Sequence, residues 1–117
     1  MRLRVFVTLL AAAAALAVVP IASPKQTATR STVVKVAATE FHFTLSKTKV
    51  SHGLVVFVVT NKGKLSHDFK IGTKKTPLLK PGKSSTIRVT LPAGGKKYLC
   101  TVAGHAAAGM TGTLRIK

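Results

Sequence analysis

The chain has 117 residues, with 19 Lys and Arg against two acidic residues, a formal net charge of +17 and one cysteine. This length allows one small domain, and a single cysteine excludes a fold held together by internal disulfides. The charge predicts attraction to anionic partners. Nucleic-acid binding is not expected, because no series of aromatic residues alternates with the basic ones as a stacking platform requires.

The N-terminus has the layout of an export signal. Arg2 and Arg4 precede an uncharged run over residues 5–19, which ends at Pro20 and small residues. We therefore predict that residues 1–23 form a signal peptide or an N-terminal membrane anchor, with cleavage favoured because the run is shorter than the roughly 20 residues that span a bilayer. The protein is expected to be exported: periplasmic, extracellular, or anchored on the outer side of a membrane. Residues 24–31 are small, polar or basic and predict a flexible linker before a single domain over residues 32–117.

The domain sequence has the short, turn-bounded segments of an all-β fold. Val, Thr, Leu and Phe recur between turns that contain Gly or Pro. Segments that fit strands cover residues 32–38, 40–46, 54–60, 67–71, 85–91, 96–100 and 111–117. In the second of these, Phe41, Phe43 and Leu45 should share one face, and His42 should be solvated on the other. The pattern predicts a Greek-key β-sandwich of about seven to eight strands.

A loop near the C-terminus carries three candidate metal ligands. Cys100, His105 and Met110 follow one another with four residues between each pair, and both His105 and Met110 come directly after a glycine that permits a tight turn. A thiolate, an imidazole and a thioether are ligands of a blue-copper site, in which two His and one Cys form a trigonal set and a weak Met lies on the axis. His67 is the candidate second imidazole, because it opens a strand that antiparallel pairing could bring beside Cys100.

Two other kinds of site, a zinc site and a hydrolase site, fit these residues less well than copper. Zinc favours further thiolates, imidazoles or carboxylates over a thioether, so Met110 argues for copper. A Cys-His hydrolase would need a third group to orient the histidine, and neither that group nor an oxyanion site is indicated.

The segment from Tyr98 to Leu114, with an upstream segment, resembles the copper-binding pattern of the cupredoxins, the plastocyanin and azurin family. The upstream segment reads Asn61-x-Gly63-x3-His67-Asp68-Phe69. The resemblance covers about residues 32–117, and its two four-residue spacers look more like rusticyanin and sulfocyanin than plastocyanin. It implies a cupredoxin-like domain with one type 1 copper ion, Cu(I) or Cu(II), whose ligands are His67, Cys100, His105 and Met110.

One position departs from the family pattern. Asp68 follows the first histidine where plastocyanin and azurin have Asn, a residue that ties the two ligand-bearing segments together by hydrogen bonds. An ionised carboxylate can accept such bonds but cannot donate them. We therefore expect copper to be retained and its surroundings, and hence its reduction potential, to differ.

These features predict a monomeric exported protein that is not an enzyme and transfers single electrons between redox partners. The basic surface should attract an acidic redox protein. The alternative function is copper storage, delivery or tolerance, which could use the same ligands. A third hypothesis, a cationic envelope protein that binds anionic polymers or lipids, rests on charge alone, and membrane association through the N-terminal segment or the basic surface stays open.

Overall fold

A computed structural model of the chain describes residues 10–24 and 30–117. Parts of the predicted export segment and linker, residues 1–9 and 25–29, lie outside the described residues. Residues 10–24 have no regular secondary structure, and their large apolar side chains are exposed. Within the described ranges, no helix has the length and apolar character needed to cross a membrane.

Nine β-strands form the domain. They are β1 (Thr32–Thr39), β2 (His42–Leu45), β3 (Lys49–Val50), β4 (Gly53–Asn61), β5 (Lys70–Ile71), β6 (Lys74–Lys75), β7 (Ser84–Leu91), β8 (Gly94–Leu99) and β9 (Thr111–Ile116). One sheet has the order β2-β1-β4-β7 and the other β3-β9-β8-β5-β6. The predicted all-β sandwich is confirmed. The strand count exceeds the predicted seven to eight because β3 and β6 have only two residues each, too few for a recognisable pattern.

Pairing within the sheets is mixed. β1 runs parallel to β4 and β3 runs parallel to β9, whereas the other neighbours are antiparallel. The antiparallel pairing of β8 with β9 matters most for function, because it brings the two ends of the Cys100–Met110 loop together.

The hydrophobic core lies between the two sheets. Alternate residues of β4 (Val55, Phe57 and Val59) have no solvent exposure, and full burial of each stabilises the fold by about 1.5–3 kcal/mol. Phe43 packs edge-on against Phe69, with ring centroids 5.2 Å apart. The predicted inward face of the second strand is confirmed for Phe43 and Leu45, and the predicted solvated position of His42 is confirmed as well. Phe41 differs: it precedes β2 and is 39% exposed.

The segment that carries His67 is more irregular than expected. The predicted strand over residues 67–71 is reduced to β5, and His67 forms an isolated antiparallel bridge with Leu79. The two residues exchange both backbone hydrogen bonds, at 3.0 and 2.7 Å. The bridge therefore fixes the backbone of His67 outside the regular sheet.

Candidate metal centre

Cys100 and Met110 lie at the two ends of one loop. β8 ends at Leu99 and β9 begins at Thr111, and these two residues are register partners. The N–H of Cys100 donates to the carbonyl of Met110 at 3.0 Å. The side chains are 1% and 0% exposed. Strand pairing thus brings both residues to the end of the sandwich and buries them there.

The loop between them is held by its own backbone. The N–H of Met110 donates to the carbonyl of His105 at 3.1 Å. Gly104 has a φ of 80° and Gly109 a φ of 127°, conformations that residues with a Cβ rarely adopt. At Gly109 a Cβ would also lie 2.9 Å from the carbonyl oxygen of Phe41. The predicted role of these glycines in turning the loop is confirmed by their conformation.

His67 approaches the loop from the neighbouring segment and is completely buried. Its Nδ1 lies 3.1 Å from Nδ1 of His105. Its Nε2 lies on the far side, 3.1 Å from Oε1 of Glu40. Nδ1 is therefore the nitrogen of His67 that faces the candidate site.

Three candidate ligands converge on one point. Sγ of Cys100 lies 3.7 Å from Nδ1 of His105, and the ligand atoms of His67, Cys100 and His105 all lie within 4.8 Å of one another. Burial raises the pKa of the Cys100 thiol, and a bound cation would favour the thiolate instead. Two imidazoles and one thiolate match the trigonal ligand set of a blue-copper site. The residues present therefore fit copper, and these three are placed to form a type 1 copper site.

Asp68 connects the two ligand-bearing segments. Its Oδ1 accepts the N–H of Thr101 at 2.6 Å, and its Oδ2 accepts the hydroxyl of the same residue. Asp68 follows His67 and Thr101 follows Cys100, so the carboxylate links the residues directly after two candidate ligands. Thr101 supplies both donors. A residue that can only accept hydrogen bonds is therefore sufficient at this position.

Asn61 holds the turn that precedes His67. Its side chain is fully buried at the end of β4. Nδ2 donates to the carbonyls of Leu65 and Leu79 at 2.7 and 2.8 Å, and Oδ1 accepts the N–H of Gly63 at 2.8 Å. The amide thus satisfies three backbone groups with both of its donors and its acceptor. Because Leu79 is also the bridge partner of His67, Asn61 fixes the histidine from both sides.

Glu40 supports the same turn from the corner between β1 and β2. Its Oε1 accepts the N–H groups of Lys64 and Leu65 at 2.7 and 2.6 Å, in addition to Nε2 of His67. The hydrogen bond from Leu65 is the largest cause that lowers the pKa of Glu40 to about 2, against an opposing effect of burial. An ionised carboxylate accepts a hydrogen bond from Nε2–H, so it favours the tautomer of His67 with a free lone pair on Nδ1.

Comparison with known proteins agrees with this geometry. Residues 25–117 match the sequence profile of the copper binding proteins of the plastocyanin/azurin family. The chain belongs to this family. No curated protein sequence matches it. The cupredoxin fold is shared with solved structures of low sequence identity. A reduced auracyanin from Roseiflexus castenholzii is 22% identical, with 74% of this chain and 97% of that chain covered and a TM-score of 0.63, and rusticyanin from Thiobacillus ferrooxidans is 23% identical, with 74% and 77% covered and a TM-score of 0.63. A multicopper oxidase is 18% identical, with 75% of this chain and 42% of that chain covered and a TM-score of 0.56.

In this cupredoxin, His105 is the candidate ligand that reaches the surface. It is partly exposed, whereas His67, Cys100 and Met110 are buried. The ring of Phe41 packs edge-on against its imidazole, with centroids 5.1 Å apart. Several exposed residues close in sequence to His67, Leu79 and His105 are apolar; they are Leu65, Leu78, Ala107 and Ala108. The residues that follow His105 in the loop, Ala106 to Ala108, are likewise uncharged.

The sequence pattern identified His67, Cys100 and His105, which the structure brings together, but it gave no role to Glu40. Its contacts with His67 and Leu65 span 27 and 25 residues, and its segment was interpreted only as an alternating strand. One signal was present: Glu40 is one of two acidic residues in a chain with 19 basic ones. A rare carboxylate in such a chain is a candidate for a specific role.

Proposed function

We propose that this cupredoxin is an exported blue-copper protein that carries single electrons between redox partners. It holds one copper ion with His67, Cys100 and His105, and with Met110 as the weak axial ligand. The observation that carries the proposal is the convergence of one thiol and two imidazole nitrogens within 4.8 Å at a buried end of a β-sandwich. The copper ion supplies the Cu(I)/Cu(II) couple, and the protein supplies a ligand set suited to both states.

The surroundings of the ligands support electron transfer because they restrict movement. His67 is fixed by its bridge to Leu79 and by Glu40, and Cys100 is fixed by its backbone bond to Met110. An electron carrier benefits from ligands that keep their positions when the metal changes oxidation state, since rearrangement adds to the barrier. A partner would approach the exposed edge of His105, and the positive charge of the chain would attract an acidic partner over longer distances.

Absence of enzymatic activity is part of the proposal. The multicopper oxidase shares the fold over less than half of its own chain. Substrate chemistry at a single copper would need an open coordination position, whereas three of the four proposed ligands here are buried and the fourth leaves only its imidazole edge at the surface. Copper delivery is the second candidate, and this closed arrangement disfavours it because an acceptor would have to reach buried ligands.

Copper loading of the full chain tests the site. We expect one copper per chain and an intense visible band from thiolate-to-copper charge transfer. His67→Ala should abolish the band. His42→Ala is the matched control, because His42 is exposed on β2, and it should leave the spectrum unchanged. A colourless protein with a free Cys100 thiol after Cu(II) loading would refute the proposal.

A second measurement separates electron transfer from copper delivery. Ala107→Trp places a large side chain on the exposed loop beside His105 and should slow electron transfer while copper stays bound. Ala93→Trp is the control, since Ala93 is exposed at the opposite end of β8. Stopped-flow rates of electron transfer and of copper transfer to an acceptor would be compared. An unchanged electron rate with impaired copper transfer would favour delivery.

A further inference from the structure

The two acidic residues of the chain both serve the metal centre. Glu40 binds the turn beside His67, and Asp68 binds Thr101. Among residues 10–24 and 30–117, the one contact between a carboxylate and a basic side chain is that of Glu40 with the His67 imidazole, so no Lys or Arg in those ranges is paired with a carboxylate. The counter-charge for the basic surface must therefore come from outside the chain.

The outward side of the five-stranded sheet concentrates this positive charge. Strand register places Lys49 opposite Arg115 and Lys70 opposite Lys75, with Lys97 between these pairs on β8. All five residues are exposed. We call these five residues the cationic face.

The outward side of the other sheet differs. On its central strands β1 and β4, valines occupy outward positions: Val33 pairs with Val56, and Lys35 pairs with Val58. Two basic residues project outward from these four strands, Lys35 on β1 and Arg88 on β7. The basic residues are therefore distributed unevenly between the two faces, with the larger number on the five-stranded sheet.

The arrangement of the cationic face does not help the domain to fold. Like charges directly opposite each other across a strand pair are destabilising, and this face contains two such pairs, Lys49 with Arg115 and Lys70 with Lys75. A bound anionic surface would neutralise both pairs at once.

We propose that the cationic face binds the surface of an anionic lipid bilayer. The face extends over five strands, which at the usual spacing of about 4.8 Å gives a width of roughly 20 Å. None of the outward-facing residues of these strands is aromatic, so the face lacks the platform on which nucleic-acid bases stack. Distributed Lys and Arg side chains are the chemistry that recognises anionic headgroups.

The segment before the domain supports the same partner. Its large apolar residues are each at least 75% exposed; they are Leu10, Leu16, Val18, Val19 and Ile21. Stable attachment to a membrane commonly needs two signals, such as an apolar group together with a polybasic surface. The full chain carries both kinds of signal, and a chain cleaved after the predicted export segment keeps the cationic face.

Binding through the cationic face would leave the metal centre accessible. The Cys100–Met110 loop emerges from the ends of β8 and β9, whereas the cationic side chains project from the sheet that these strands form. The His105 edge would then face along the membrane plane, where a partner could reach it. The proposal does not depend on whether the copper ion transfers electrons.

Vesicle binding by the full chain tests the proposal with two variants of equal charge. The face variant changes Lys49, Lys70, Lys75, Lys97 and Arg115 to Gln. The control variant changes Lys35, Lys62, Lys80, Lys83 and Arg88 to Gln; these residues are also exposed, and they lie on the other sheet or in turns. Co-sedimentation would use vesicles of phosphatidylcholine alone and of phosphatidylcholine with phosphatidylglycerol. The neutral vesicles measure the contribution of the N-terminal apolar segment.

We expect affinity for the anionic vesicles to fall at least tenfold in the face variant, because each basic side chain near such a surface contributes roughly fivefold. The control variant should lose less than about threefold. The face variant should also unfold at no lower a urea concentration than the wild type, since two like-charge pairs are removed. Equal losses of vesicle affinity in the two variants would show that binding depends on net charge alone and not on the cationic face. That result would overturn the proposal. Tighter binding to a single-stranded oligonucleotide or to polyglutamate than to vesicles, lost in the face variant, would also overturn it, in favour of a polymeric or protein partner.

Discussion

The two halves of the metal centre are stabilised in different ways. The Cys100–Met110 loop is held by hydrogen bonds within itself and by two glycines with positive φ. The His67 segment has little regular structure and is held by side chains from elsewhere, namely Asn61 at the end of β4 and Glu40 at the β1–β2 corner. Asp68 joins the two halves through Thr101.

This difference indicates how each half responds to substitution. Changes in the loop should act locally on the conformation of its own residues. Changes in the supports of His67 should act at a distance, because one side chain holds several backbone groups. A buried group left without its partner costs more than the bond itself contributes, so the largest losses are expected on the His67 side.

The largest expected effect comes from Asn61→Ala. The substitution leaves the carbonyl of Leu65 and the N–H of Gly63 without their partner, and the carbonyl of Leu79 keeps only the hydrogen bond from the N–H of His67. We expect the free energy of unfolding of the metal-free protein to fall by about 2–4 kcal/mol, measured by urea denaturation.

Thr60→Ala is the matched control for Asn61→Ala. Thr60 precedes Asn61 on the same strand and makes one hydrogen bond, to Ser84, at the protein surface. Its loss should cost no more than about 0.5 kcal/mol. Similar losses in the two variants would show that the amide of Asn61 does not hold the His67 segment.

A smaller loss is expected in the loop for Gly109→Ala. The new Cβ would be strained by the φ of 127° and would lie 2.9 Å from the carbonyl oxygen of Phe41. We expect a loss of about 2 kcal/mol in the free energy of unfolding. Gly82→Ala is the control, because Gly82 also has a positive φ, of 80°, but open space around it, and about 1 kcal/mol is expected there. A Gly109 variant no less stable than the Gly82 variant would contradict the proposed close approach of the loop to Phe41.

The same difference explains what the sequence could predict. Cys100 and His105 are close in sequence, and a loop between paired strands brings them together, so spacing and residue type are enough to place both at the candidate site. Met110 as the axial ligand stays a prediction. Alternating apolar residues likewise predicted the long strands and the inward positions of Phe43 and Leu45. Short-range pattern therefore carried most of the fold and the ligand-bearing residues.

The supports of His67 could not be found in this way. Glu40 reaches His67 only because the β1–β2 corner packs against the turn after β4, and no local pattern encodes that contact. Asp68 was expected to change the surroundings of the copper ion, because its carboxylate cannot donate hydrogen bonds between the two segments. The link between the segments depends on Thr101, whose two donors match the acceptors of the carboxylate. Phe41 was placed with its strand neighbours, but it precedes β2 and lies against His105.

Met110→Gln tests the fourth proposed ligand on the loop side. A harder oxygen donor should disfavour Cu(I), so we expect copper to stay bound and the reduction potential, measured by voltammetry, to fall. Met110→Leu is the volume-matched control: it keeps the packing but removes the donor, and the potential should shift in the opposite direction. An unchanged potential in both variants would mean that Met110 is a core residue and not a ligand.

Glu40→Gln tests the His67 side of the metal centre through the pH dependence of the free energy of unfolding. Its expected effect is the smallest of these variants. Gln keeps an acceptor oxygen for the N–H groups of Lys64 and Leu65 but removes the charge. The pKa of Glu40 is lowered from 4.5 to about 2 in the folded protein, so its ionised form stabilises the fold. That stabilisation is complete above about pH 4.5 and is lost as the pH falls through about 2.

In urea denaturation of the metal-free protein between pH 6 and pH 2, the wild type should therefore lose stability more steeply than the variant. The two proteins differ only at residue 40, so the difference between the two curves reports on the charge of Glu40. Parallel curves of stability against pH would show that the charge of Glu40 does not stabilise the turn. Glu40 would then hold His67 only through the hydrogen bonds that its side-chain oxygen accepts.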